Sequence, residues 1–190
     1  SLSPGVQVHC FEPVTLTFSR LKERLADGPG KTNTVLNNFG LSDRRGAATI
    51  KIYGDCAGTN SLYERRSAIA KYPSFAAWRE ENVSLTTLDA YLSENPVEII
   101  DLLKIDVEGH EFKVLDGASS ALSGGKVRCI QFEYGGCFLD SGARLAEVFL
   151  LLTQNGFDVF RLLPFGKLRI RSFHPHLENY KYSNWLAIRA

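Results

Sequence analysis

Methionine is absent from all 190 residues, position 1 included, and the chain runs from Ser1 almost at once into a strand-like stretch. The natural start is therefore expected upstream. An excess of either charge is also lacking: 22 Lys and Arg stand against 21 Asp and Glu. A nucleic-acid binder needs basic residues in surplus to neutralise phosphates, so no nucleic-acid partner is expected. The pairs Arg44-Arg45 and Arg65-Arg66 are too short to supply that surplus and read as solvated loop charges. No apolar run approaches the roughly 20 residues that cross a bilayer, so no membrane span is expected. Cys10, Cys56, Cys129 and Cys137 form no CxxC pair and no zinc spacing. Cys10 and Cys129 lie in apolar runs and read as buried thiols. With no visible signal peptide, this points to a reducing, cytoplasmic setting. Neither a GxSxG elbow nor a GxxxxGK[ST] phosphate loop is present. His174 and His176 flank a proline in a polar stretch and read as loop residues rather than a metal pair.

What is present is an ordinary globular composition, 44% hydrophobic and 23% charged, in a length suited to one domain over residues 1–190. Residues 6–11 read as a strand ending at Glu12-Pro13. Val14, Phe18, Leu21 and Leu25 then recur at helical spacing, and residues 27–30 stop that helix. Strands are expected at 34–39 and 47–53, with a turn between them. Residues 54–82 are polar and irregular, with 67–80 as a candidate helix; a stretch of that length is usually functional or mobile. Thr86 reads as a helix cap, with Leu85, Leu88 and Leu92 facing inward. Residues 98–105 and 127–132 read as buried strands, separated by one helix carrying Phe112, Leu115 and Leu122. An apolar helix at 145–152 and closing strands at 157–163 and 185–188 complete the chain. This alternation predicts an α/β fold with a mostly parallel sheet and an antiparallel hairpin at one edge.

In an open parallel sheet, ligands bind beyond the carboxyl ends of the strands. The polar residues expected there are Glu12, Asn37, Asn38, Asp106, Glu108, Glu133 and Tyr134. An acid placed like Glu12 accepts hydrogen bonds from ribose hydroxyls, or simply complements the dipole of the next helix. Lys104 to Glu111 packs one lysine, three acids and a histidine at a strand-to-helix turn, where Gly109 lets the backbone turn closely. Capping explains one acid there, but not all three together with His110. Asp106 and Glu133, on neighbouring strand ends, are candidate oxygen ligands for a divalent cation, or acceptors for loop backbone.

The run from Asp101 to Ala118, Asp-Leu-Leu-Lys-Ile-Asp-Val-Glu-Gly-His-Glu-Phe-Lys-Val-Leu-Asp-Gly-Ala, closely resembles the signature of the FkbM-type methyltransferases. His9-Cys-Phe-Glu-Pro13, Leu85-Thr-Thr-Leu-Asp89, Ile130-Gln-Phe-Glu133 and Asn184-Trp-Leu-Ala187 agree in order and spacing, so the resemblance spans nearly the whole chain. It implies a class I, Rossmann-like fold that binds S-adenosylmethionine and methylates a hydroxyl of a small-molecule or glycan acceptor, such as a sugar or a glycosylated or polyketide product. It implies that Glu12 holds the cofactor ribose, and that Asn38 and Phe39 lie by the adenine. It places Asp106 beside the methionine portion and the moving methyl, with Glu108, His110 and Glu133 toward the acceptor. Asp106, His110 and Glu108 are the catalytic candidates; Asp106 and His110 lead as the base, ahead of a metal held by Asp106 and Glu133. The family's glycine-rich loop and the strand before it have no counterpart here, so the chain is expected to be part of a longer protein and poorly stable alone. Two rival readings are a nicotinamide-dependent oxidoreductase and a non-catalytic module derived from a methyltransferase.

Overall fold

The computed structural model describes residues 5–26, 33–69 and 71–190. β1 (Val8–Phe11) and β2 (Thr34–Asn37) pair in parallel, Phe11 opposite Asn37, with α1 (Thr15–Ala26) crossing between them. The stop expected at 27–30 lies outside the described residues. The helical periodicity of α1 is realised, but none of its residues is buried. A two-stranded sheet offers little apolar surface to pack on.

β3 (Gly40–Leu41), β4 (Gly46–Ile52) and β5 (Arg79–Thr86) form a second sheet in the order β3-β5-β4. β5 runs antiparallel to β4 and parallel to β3. This strand was not expected. Its Arg-Glu-Glu-Asn start is polar because Val83 is the only residue of β5 turned fully into the small core that it shares with Val14, Ile50 and Ile52. The long polar stretch is correspondingly shorter. It holds one helical turn, α2 (Arg66–Ile69), and a 3-10 turn at Pro73–Ala76. α3 (Leu88–Glu94) follows, capped by Thr87 rather than Thr86: Thr87 Oγ1 accepts the Ala90 N–H at 3.0 Å, while Thr86 closes β5.

The main core lies on a five-stranded sheet. β6 (Leu103–Ile105) leads into α4 (Glu111–Asp116) and α5 (Ser119–Ser123), then β7 (Cys129–Tyr134). After α6 (Gly136–Ser141) and α7 (Leu145–Gln154) come β8 (Phe157–Leu163), β9 (Gly166–Ile170) and β10 (Ser183–Arg189). The order is β6-β7-β10-β8-β9, and only β6 and β7 are parallel. The α/β class stands, but within this sheet the mostly parallel arrangement and the edge position of the last strand do not. The turn after β8 is too short for a crossover, so β9 must return antiparallel. The chain then comes back along 171–182, and β10 enters between β7 and β8, where Trp185 and Ala187 are fully buried. The expected strand at 98–105 shrinks to β6 plus a bridge from Ile100 to Val127.

Among the described residues β1 pairs only with β2, and β6 only with β7. Tyr91 of α3 belongs to the main core and reaches β1. Its ring lies 4.8 Å from that of Phe11, and its hydroxyl 2.6 Å from His9 Nδ1. One helix was expected between β6 and β7, but Gly117 divides it into α4 and α5. A Cβ at Gly117 would sit 1.9 Å from the Ser42 carbonyl oxygen, so the backbone after β3 passes directly over it. Of the four cysteines Cys137 is the buried one; Cys10 and Cys129 are half-buried, and all four are free. No helix among the described residues is long and apolar enough to cross a membrane.

Candidate functional site

The loop from β6 to α4 carries Asp106, Glu108, Gly109 and His110, and its shape is set from beneath. Glu111 is fully buried and accepts the N–H groups of Val107 at 3.2 Å and Gly109 at 3.0 Å. Gly109 has φ +101°, and a Cβ there would lie 2.6 Å from the Cys137 carbonyl oxygen. Only glycine takes that conformation at that separation without strain.

Each titratable side chain of the loop has its own surroundings. Glu108 pairs with the Arg65 guanidinium, while its carbonyl accepts the Ser61 hydroxyl at 2.8 Å. Burial raises the Glu108 carboxyl, and Arg65 opposes that shift. Arg65 also approaches Asp140 at 3.8 Å and lies over the Phe75 ring. Ser67 donates its N–H and its hydroxyl to Asp140, both at 2.7 Å. Residues 61–67 thus strap across the ends of β6 and β7. Arg65 was expected to be a solvated loop charge; its side chain is 13% exposed, and it is the pin of this strap. Its partners are distant in sequence, so no local pattern marks it.

His110 is buried, with Ser42 Oγ 2.9 Å from Nε2 and Tyr63 OH 2.7 Å from Nδ1. Both ring nitrogens are therefore occupied, and burial holds its pKa down to about 4. A cavity of about 250 Å³ beside it is walled by Ser42, Asp43, Leu62, Tyr63 and Lys113; Asp106 and Glu12 do not line it.

Asp106 is exposed, with Lys104 Nζ 2.7 Å from its carboxylate. Nearby, Glu133 accepts the Tyr182 hydroxyl at 2.8 Å. The expected metal pair is not supported. Among the described residues no group of three or more His, Cys, Asp or Glu is placed to hold a metal, and the two carboxylates are engaged by an ammonium and a phenol.

At the end of β1, Glu12 Oε1 accepts the Val14 N–H at 2.8 Å, while its second oxygen has no partner among the described residues. Burial raises this carboxyl above its ordinary value. The Asn38 amide donates to the carbonyls of Glu12 at 2.9 Å and Pro13 at 3.3 Å, tying the ends of β1 and β2 together. Phe39 packs on Phe11 and Tyr91. This cradle fits a ribose and an aromatic base: one carboxylate oxygen is open to hydroxyls beside an aromatic cluster. Glu12, Asn38 and Phe39 thus cluster at one pair of strand ends, and Asp106 and Glu133 at another. Sequence reasoning did not find Ser42, Tyr63 or Arg65, nor the clamping role of Glu111.

Glu111 and His110 have opposite effects on stability. Burial pushes the Glu111 carboxyl up from 4.5 to about 7. The folded chain therefore holds that proton more tightly, and stability is lost as pH rises through this window. His110 falls from 6.5 to about 4, so it costs stability as pH drops through its own window. Between 4.5 and 6.5 the two slopes cancel. Glu111→Gln removes the falling slope. Melts followed by circular dichroism are expected to show a midpoint that rises with pH over this range in the variant and stays flatter in the wild type. Parallel curves would mean that Glu111 is ionised in the fold.

Comparison with known proteins yields matches of one kind. The methyltransferase FkbM domain matches residues 2–159. The 31-O-demethyl-FK506 methyltransferase FkbM of Streptomyces tacrolimicus is 27% identical over 178 residues, covering 82% of this chain and 65% of that protein. The 2-O-methyltransferase NoeI of Sinorhizobium fredii (strain NBRC 101917 / NGR234) is 30% identical over 139 residues, covering 70% of this chain and 55% of that protein. The chain thus spans 65% and 55% of the length of these two relatives. The crystal structure of methyltransferase FkbM from Methylobacillus flagellatus KT aligns with 95% of this chain and 36% of its own, at 14% identity and a TM-score of 0.48.

Proposed function

Because the chain belongs to the methyltransferase FkbM domain family, we propose that it carries the cofactor- and acceptor-binding face of an S-adenosylmethionine-dependent O-methyltransferase. The observation that carries this reading is the β6–α4 loop. In and beneath it, Glu108, His110 and Glu111 are taken up in partly or fully buried contacts, while Asp106 is exposed, paired with Lys104. A loop that uses three polar side chains to hold a fourth in place is built for positioning.

S-adenosylmethionine supplies an electrophilic methyl on its sulfonium. Glu12 is assigned to the ribose hydroxyls through its open oxygen, with Asn38 and Phe39 beside the base. Asp106 accepts the proton of an acceptor hydroxyl, since it is the exposed carboxylate of the loop, whereas His110 is buried with both ring nitrogens occupied. His110 and Glu108 then act as positioning residues that fix the loop against residues 42 and 61–65. The acceptor class is a hydroxyl of a sugar or of a glycosylated or polyketide product, in line with the 31-O and 2-O positions in the relatives' names. Membership of a methyltransferase family weighs against nicotinamide chemistry. The four free thiols suit a cytoplasmic setting.

Glu12→Ala is expected to weaken S-adenosylmethionine binding by about 1–3 kcal/mol, the scale of hydrogen bonds to a charged group. Calorimetry on the intact protein, with circular dichroism to check folding, measures this. Unchanged affinity in a folded variant would leave Glu12 as a cap of α1 and nothing more.

A further inference from the structure

The hairpin of β8 and β9 ends the five-stranded sheet at the edge opposite β6. Its turn carries Phe165, which is fully solvent-exposed at 103%. Leu163 and Leu168, on either side, are 48% and 54% exposed. The register, Leu163 opposite Gly166 and Arg161 opposite Leu168, puts both leucines on one face with Val159, Arg161 and Ile170. At the inner end of that face Val159 is buried and Ile170 packs on the core. At the outer end the same apolar face continues past the core into solvent. The other face presents Lys167 and Arg169, with Arg171 just beyond the strand. Residues 157–171 contain four cations, Arg161, Lys167, Arg169 and Arg171, and one acid, Asp158, which pairs with Arg169. In a chain whose net charge is only +1, this concentration is local.

Single exposed apolar residues are normal, but three together at a projecting tip are not. A convex tip of Phe and Leu edged by cations matches a surface that is apolar below and anionic above. We propose that the β8–β9 hairpin docks the protein on an anionic phospholipid surface. Phe165, Leu163 and Leu168 enter the boundary between headgroups and acyl chains, and Lys167 and Arg171, on the opposite face, meet the headgroup phosphates. The Lys167 ammonium lies over the Phe160 ring, 4.5 Å from its centroid, a cation–π contact that holds this cation at the outer end of the hairpin. None of these residues belongs to the cofactor or acceptor face, so the inference stands apart from the methyltransferase reading.

The test is co-sedimentation of the chain with vesicles of phosphatidylcholine, with and without phosphatidylglycerol. Binding to the anionic vesicles is expected, with loss as salt is raised. Phe165→Ser should reduce it roughly tenfold, the worth of one inserted aromatic side chain. Lys167→Glu should reduce it by at least roughly fivefold, as one cation near the surface is removed. Both positions are exposed, so thermal melts should match the wild type. Equal binding to neutral vesicles, or anionic binding unchanged by Phe165→Ser, would overturn the proposal. So would concentration-dependent self-association that Phe165→Ser abolishes while vesicle binding is absent, since the tip would then be a contact between copies of the chain.

Discussion

Asp106→Asn is expected to lower methyl transfer by about a hundredfold to ten-thousandfold, the usual range for loss of a positioned general base. The substitution keeps the side chain's size and leaves an exposed position exposed, so the melting midpoint should stay close to that of the wild type. Binding of the cofactor ribose should also hold, because Glu12 lies at a different strand end. The fall should therefore appear in kcat at saturating cofactor. Raising the pH should restore part of the rate, because hydroxide can do what the carboxylate no longer does. Measured on the intact protein with a hydroxyl acceptor, a wild-type rate would move the proton-accepting role elsewhere. It would leave Asp106 as the partner of Lys104.

The second large effect is on the fold. Gly117→Ala places a methyl group 1.9 Å from Ser42 O, 2.9 Å from Ser42 C and 3.2 Å from Asp43 Cα. All three are backbone atoms, so no rotamer change relieves the clash. Either the segment after β3 or the junction of α4 and α5 must shift. The expected cost is about 3 kcal/mol or more, at the upper end of overpacking effects. For a chain of this size that is a fall of roughly 6–12 °C in melting temperature. Ser42 also holds His110, so the shift should reach the loop under Asp106. Gly46→Ala is the control. A Cβ there meets nothing within 4 Å, and its midpoint should move little. Equal melts for the two variants would show that the approach of Ser42 to Gly117 is soft.

The elements legible in the sequence are those whose apolar period is their own. β1, β7, β8, α1 and α7 alternate or recur with little help from neighbours, and all were found close to their observed bounds. β5 was missed because three of its first four residues are charged and its pairing partners, not its own pattern, hold it in place. β9 was missed because four of its five residues are exposed, which leaves no inward pattern to read. The break at Gly117 depends on Ser42, 75 residues earlier in the chain. The candidate site divides in the same way. Asp106, Glu108, His110 and Glu111 were visible as a cluster because they are contiguous. Which of them is buried in contacts and which is exposed depends on Ser42, just after β3, and on Tyr63 and Arg65, brought in by the strap. Composition and spacing locate a chemical loop; the contacts that bury its other polar side chains are long-range.

The sides of β1 and β6 that have no strand partner among the described residues also bear on solubility. An open strand edge is a template on which any extended peptide can add, including another copy of the same strand. Proteins usually guard such edges with charge, proline, a bulge or a covering element. β6 carries one charged residue, Lys104, while β1, Val-His-Cys-Phe, carries no formal charge and no proline until Pro13 follows it. Among the described residues β1 is therefore one place open to edge-to-edge aggregation. Any polypeptide that pairs with it protects the protein from precipitation as well as extending its sheet.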